Sequence, residues 1–126
     1  MDNALNLLII DDNQEILDAL HDFFSQKNCL VKSALNGLDG LKLLEADNKS
    51  IDLVITDIVM PHISGVAIIS IVKKKYPEIP VIAITGWGEY PEAMAAEAQA
   101  DLVLEKPFDL IELENFIHQI IARKGK

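Results

Sequence analysis

Cysteine is almost missing from this chain of 126 residues: Cys29 stands alone, so no internal disulfide can form and a reducing compartment fits best. At the start of an apolar stretch, a lone thiol reads as a small core residue rather than a reactive one. Long apolar runs are missing too. The longest, residues 66–72, includes Ser70 and falls far short of the roughly 20 residues that span a bilayer. The opening Met1-Asp2-Asn3-Ala4 lacks the positive region of a signal peptide, so a soluble, cytoplasmic protein is expected. Basic residues are scarce, 11 Lys and Arg against 20 Asp and Glu, for a net charge of −9. A surface this acidic repels nucleic acid and anionic membranes at long range, which argues against direct DNA or membrane partners. Repeats, low-complexity segments and linkers are absent from the sequence as well.

What is present is half hydrophobic and a quarter charged, the balance of one globular domain with an adequate core. Four short apolar runs each lead into polar residues: Leu7-Leu8-Ile9-Ile10 into Asp11-Asp12, Leu53-Val54-Ile55-Thr56 into Asp57, Val81-Ile82-Ala83-Ile84 into Thr85-Gly86, and Leu102-Val103-Leu104-Glu105 into Lys106-Pro107. Runs of this length read as buried strands of a parallel sheet. Between them lie helical stripes: Ile16, Leu17, Leu20, Phe23 and Phe24 after a cap at Asp12 or Asn13; Leu38, Leu41 and Leu44 after Asn36-Gly37; residues 66–76, ending in three lysines; a thin alanine-rich stretch over 91–100; and Leu110, Leu113, Ile117, Ile120 and Ile121. Residues 29–34 make a weaker second strand. Alternating strands and helices predict an α/β fold, a doubly wound five-stranded parallel sheet covered on both faces.

In such sheets ligands bind beyond the carboxyl ends of the strands. Asp11, Asp12, Asp57, Thr85 and Lys106 should therefore meet at one edge, although each alone reads equally well as a cap, a strand end or a surface charge. Two like charges about 4 Å apart repel by roughly 4 kcal/mol at an effective dielectric near 20, so three carboxylates need either protons or cations among them. Lys106 supplies one positive charge. Hard oxygen ligands, too few for a full cage, favour Mg²⁺ over Ca²⁺ for the rest. An aspartate in this setting can attack phosphorus when metal and lysine neutralise the phosphoryl oxygens. The Thr85 hydroxyl and the Gly86 amide can hold the remaining oxygens.

Asp11-Asp12, Asp57 followed by Met60-Pro61 and Gly65, Thr85-Gly86, and Lys106-Pro107-Phe108 together resemble the receiver domain of two-component response regulators, in order and at family spacing through essentially the whole chain. The resemblance implies a flavodoxin-like (βα)5 fold with strand order 2-1-3-4-5. It makes Asp57 the phosphoacceptor, gives Mg²⁺ to Asp11, Asp12, Asp57 and the backbone carbonyl of Val59, pairs Lys106 with the phosphoryl group and lets Thr85 hydrogen-bond it. The donor would be a phosphohistidine on a sensor histidine kinase or phosphotransfer protein. An output protein would bind the face formed by the alanine-rich helix, the fifth strand and the last helix. The chain would then be a phosphoacceptor that catalyses its own phosphorylation and dephosphorylation, not an enzyme acting on a separate substrate. One receiver domain over residues 1–126 is expected, with 1–4 and 122–126 as frayed ends, the basic tail being equally suited to begin a linker.

Three positions depart from the family pattern. Val103 stands where the family usually has Tyr or Phe, so the usual threonine-aromatic exchange has no aromatic to use. Val59 and Trp87, two residues beyond the acceptor and the threonine, are both apolar. Neither can orient a hydrolytic water, and a long-lived aspartyl phosphate is expected. Two other functions compete. A haloacid-dehalogenase-like phosphatase also uses Asp, Thr, Lys and Mg²⁺ but wants a second acid two residues after its nucleophile, where Val59 stands. A pseudo-receiver that binds partners without phosphorylation would have lost part of the acidic set, which is intact here. His21, His62 and His118 have no metal-ligand spacing and read as solvated side chains.

Overall fold

A computed structural model describes residues 4–86 and 99–124. Among them five strands, β1 (Leu5–Ile10), β2 (Cys29–Ala34), β3 (Leu53–Asp57), β4 (Val81–Thr85) and β5 (Leu102–Glu105), are interleaved with four helices, α1 (Gln14–Ser25), α2 (Gly37–Asp47), α3 (Gly65–Lys75) and α4 (Leu110–Lys124). All strand pairs are parallel, in the order β2-β1-β3-β4-β5. This is the doubly wound sheet that the alternation predicts, in the strand order that the resemblance implies. The alanine-rich helix expected over 91–100 lies outside the described residues except for 99 and 100, and Trp87 lies outside them altogether.

Alternation along each strand divides the core between two faces. Leu7, Ile9, Leu53, Ile55, Ile82 and Ile84 point to α1 and α4, where they meet Leu17, Leu20, Phe24, Leu113 and Ile117. Leu8, Ile10, Val54, Val81 and Ala83 point the other way, to Leu44 of α2 and Ile68, Ile69 and Val72 of α3. Both faces of β1, β3 and β4 are dry, which is why their runs lack polar alternation. Cys29 is a buried free thiol on the first of these faces. Burial pushes its pKa up and keeps the neutral thiol.

The helices begin where side chains satisfy their first amides. Asn13, not Asp12, caps α1 by accepting from the Ile16 amide, Asn36 caps α2 through Asp39, and Ser64 caps α3 through Ala67. Asp109 does the same for α4, accepting from Ile111 and Glu112.

Two expectations need correction. Leu38 is not part of the buried stripe of α2: it is 52% exposed. The helix instead reaches the sheet through Gly40 and Leu44: a Cβ on Gly40 would stand 2.4 Å from Ile10 Cδ1, while Gly37 is closed against Ile63 in the loop after β3. The tail expected to fray from residue 122 continues α4 to Lys124, with Arg123 and Lys124 in a last turn whose dipole favours cations.

Candidate phosphoacceptor and metal site

The carboxyl ends of β1, β3, β4 and β5 are level because of their register: Ile10 pairs with Thr56, Asp57 with Ile84, and Thr85 with Glu105. The next residue of β1 is Asp11 and the next of β5 is Lys106, so the loops open on one shared edge. There Asp11, Asp12 and Asp57 each offer a carboxylate oxygen, all within 4.8 Å of one another. Lys106 Nζ stands 3.4 Å from Asp57 Oδ2 and 3.5 Å from Asp11 Oδ2. Asp11 and Asp57 are buried while Asp12 faces solvent.

Each buried acid is held by one backbone amide. The Asn13 amide donates to Asp11 Oδ1 at 2.9 Å, and the Val59 amide donates to Asp57 Oδ1 at 3.4 Å. Burial pushes the Asp11 carboxyl above the usual carboxylate range, opposed by the Asn13 amide and by Lys106. Burial likewise raises Asp57, and the neighbouring Asp11 charge raises it further against the pull of Lys106. One lysine thus shares itself between two desolvated acids and fully pairs neither.

Thr85 ends β4 beside this cluster, fully buried, and its Oγ1 has no hydrogen-bond partner among the described residues. A buried unpaired hydroxyl costs about 1–3 kcal/mol, which marks it as a group awaiting a partner. Lys106 is set against Thr85 through the main chain, its amide donating to the Thr85 carbonyl at 2.7 Å, and the Lys106–Pro107 peptide is cis. The loop after Asp57 is held by Gly65, whose amide donates to the Ile58 carbonyl at 2.8 Å. A Cβ at Gly65 would lie 2.0 Å from the Asp57 carbonyl oxygen, so only glycine lets α3 start this close to the end of β3. Val59, in the same loop, is half exposed.

The model of the response regulator receiver domain matches residues 7–118. The chain belongs to that family. Response regulator SaeR of Staphylococcus epidermidis is 34% identical over 122 residues, which are 96% of this chain and 52% of that protein. The receiver thus spans about half the length of such relatives. A response regulator receiver domain protein from Clostridium thermocellum superposes with a TM-score of 0.90 at 33% identity, covering 96% of this chain and 97% of that one. A CheY-like receiver from Methanospirillum hungatei JF-1, 24% identical, gives a TM-score of 0.90 over 98% of both chains and supports the fold alone. Receivers of this family work with histidine kinases and output proteins.

Against the sequence-based expectations, the receiver brings Asp11, Asp12, Asp57 and Lys106 together as anticipated and leaves Thr85 Oγ1 buried without a partner among the described residues. His21, His62 and His118 are exposed and scattered. Two contacts that shape the site are not legible in the motif residues alone. The Asn13 amide orients Asp11, for which the signal is the short turn after Asp11-Asp12. Gly65 belongs to the motif that carries the resemblance, but its close approach to the Asp57 carbonyl shows only in the fold. No described helix is long and apolar enough to cross a membrane.

Proposed function

We propose that this receiver is a phosphorylation-dependent switch whose acceptor is Asp57. The observation that carries the reading is the desolvated, under-neutralised cluster of Asp11, Asp12 and Asp57 around one lysine, with an unsatisfied Thr85 hydroxyl at the same edge. An edge that lacks positive charge and has a spare donor fits a divalent cation together with an anionic ligand.

The donor set is all hard oxygen and too small for a full cage, so water and the anionic ligand would complete it, which suits Mg²⁺. Asp11, Asp12, Asp57 and the Val59 carbonyl would hold it, and its contribution there is positive charge against the phosphoryl oxygens. A carboxylate oxygen of Asp57 attacks the phosphorus of a phosphohistidine on a sensor kinase or phosphotransfer protein. The P–O bond forms as the P–N bond breaks, and the electron pair stays on the imidazole, which takes a proton from solvent. Lys106 then leaves its shared position between Asp11 and Asp57 to pair with the phosphoryl group. Thr85 Oγ1 donates to another phosphoryl oxygen, and Gly86, without a side chain, leaves room for it.

Val103 is half-buried and packs against the α2–α3 face of the core, so the readout proceeds without an aromatic exchange at that position. The output partner would sit on the face of β5 and α4 together with residues 91–100. We read the domain as covering residues 1–126, cytoplasmic, with neither nucleic acid nor membrane as a direct partner. Incubation with acetyl phosphate and Mg²⁺, followed by mass measurement, tests the central step. A metal-dependent phosphoryl increment is expected in the native chain and none in Asp57→Asn; an increment that survives the substitution, or never forms, refutes it.

A further inference from the structure

At the end of the sheet opposite the acids lies a cleft of about 560 Å³, bounded by the carboxyl ends of α3 and α4 and the entry to β4. We propose that this cleft docks an acidic peptide segment of a protein partner, anchored by one apolar side chain. The cleft has an apolar lining in Pro77, Pro80 and Ile120, of which Pro80 and Ile120 are also buried. One wall is the Lys73–Asp101 pair, which is internally satisfied: Asp101 Oδ2 accepts from Lys73 at 2.5 Å and from the Val81 amide at 2.7 Å.

That leaves Arg123 and Lys124 as the cations the cleft has to offer. Both are exposed, and neither forms an ion pair among the described residues. Of the two carboxylates among the described lining residues, Asp101 is taken up by Lys73 and the Val81 amide, which leaves Glu78 to oppose Arg123 and Lys124. Lys74 and Lys75, also exposed and without an ion pair among the described residues, extend the positive area along the last turn of α3. On a chain of net charge −9, this is local complementarity to an anionic partner against an overall repulsive field. A peptide fits better than nucleic acid for two reasons. The long-range field disfavours a dense polyanion, and among the described residues the lining includes no aromatic ring on which a base could stack. The apolar lining suits an anchor side chain ringed by charges.

The probe is a fluorescent peptide of glutamate and aspartate with a single central leucine, titrated into the full chain and followed by anisotropy. Saturable binding is expected, about tenfold weaker in the double variant Arg123→Glu, Lys124→Glu. It should be unchanged in Lys42→Glu, Lys49→Glu, exposed reversals in α2 and the turn after it that change the net charge by the same amount. Replacing the leucine of the peptide by serine should weaken binding several-fold. Absence of binding, equal weakening by Lys42→Glu, Lys49→Glu, or indifference to the leucine overturns the proposal, as does tighter binding of a DNA oligonucleotide that Arg123→Glu, Lys124→Glu abolishes. Arg123 and Lys124 lie in an exposed terminal turn, and circular dichroism of the variants verifies the fold.

Discussion

At the entry to β4 and β5, Lys73 and Asp101 stand 2.5 Å apart, and the same Asp101 oxygen accepts the Val81 amide. At the exit of those strands Lys106 stands 3.4 and 3.5 Å from two carboxylates that compete for it. The residue types are the same and the outcomes are opposite. The lower pair has as many donors as its acid needs and ties β5 to β4 and α3. The upper cluster is buried, short of positive charge and bordered by an orphan hydroxyl. Satisfied polar groups hold a fold together, while unsatisfied ones mark where a ligand completes it.

The largest effect should come from closing the upper site. Gly65→Ala places a Cβ 2.0 Å from the Asp57 carbonyl oxygen, against backbone that cannot swing aside. A loss of about 3 kcal/mol or more in urea unfolding is expected; a loss below about 1 kcal/mol would show that the loop after Asp57 relaxes freely. Asp101→Ala removes both the ion pair and the acceptor of the Val81 amide. Because Asp101 is more than a third exposed, the pair itself counts for little, and about 1–2 kcal/mol of destabilisation is expected, mostly from the amide.

At the upper end the sign reverses. Asp57→Asn removes one of two buried like charges and should stabilise the metal-free protein by about 1 kcal/mol at neutral pH. Burial and then the Asp11 charge raise the Asp57 pKa in the folded state. A raised carboxyl favours folding fully only below its ordinary value of 3.8 and loses that contribution as pH rises through the raised one. The native chain therefore bears the whole penalty at neutral pH. The advantage of Asp57→Asn should shrink as pH falls through the raised pKa toward the ordinary range, and an advantage constant with pH would assign it to something other than ionisation. Mg²⁺ at about a hundred times its Kd should add about 2.7 kcal/mol to the native chain and distinctly less to the variant.

How far the sequence reveals these two ends differs for a physical reason. The upper edge was legible because each strand is an unbroken apolar run that stops at a polar residue, and parallel pairing forces those stops together. The lower pair was not, since Lys73 and Asp101 are joined only by tertiary packing, and a lysine in a last helical turn looks like an ordinary dipole partner. Leu38 shows a related limit: hydropathy credits the leucine, whereas α2 approaches the sheet at Gly40, which carries no hydropathic signal. The Thr85 orphan could not be read at all, because a missing partner is a property of the assembled site.

The smallest effect concerns the lifetime of the phosphorylated state, and it examines whether the upper site is left incomplete on its solvent side too. Val59 is half exposed beside Asp57 and offers it only its backbone amide. Of the polar side chains around Asp57 among the described residues, the carboxylates of Asp11 and Asp12, the Lys106 ammonium and the Thr85 hydroxyl are all assigned to metal or phosphoryl oxygens in the proposed mechanism. None is then left to hold a water in line with the Asp57–phosphorus bond, and an isopropyl group cannot do so. Val59→Glu would introduce an acceptor able to orient and partly deprotonate that water. Release of inorganic phosphate from the phosphorylated protein should quicken about threefold, roughly 0.6 kcal/mol in barrier. Unchanged or slower release would mean that access of water, rather than its orientation, sets the lifetime; the comparable substitution Trp87→Glu would then be the one expected to act.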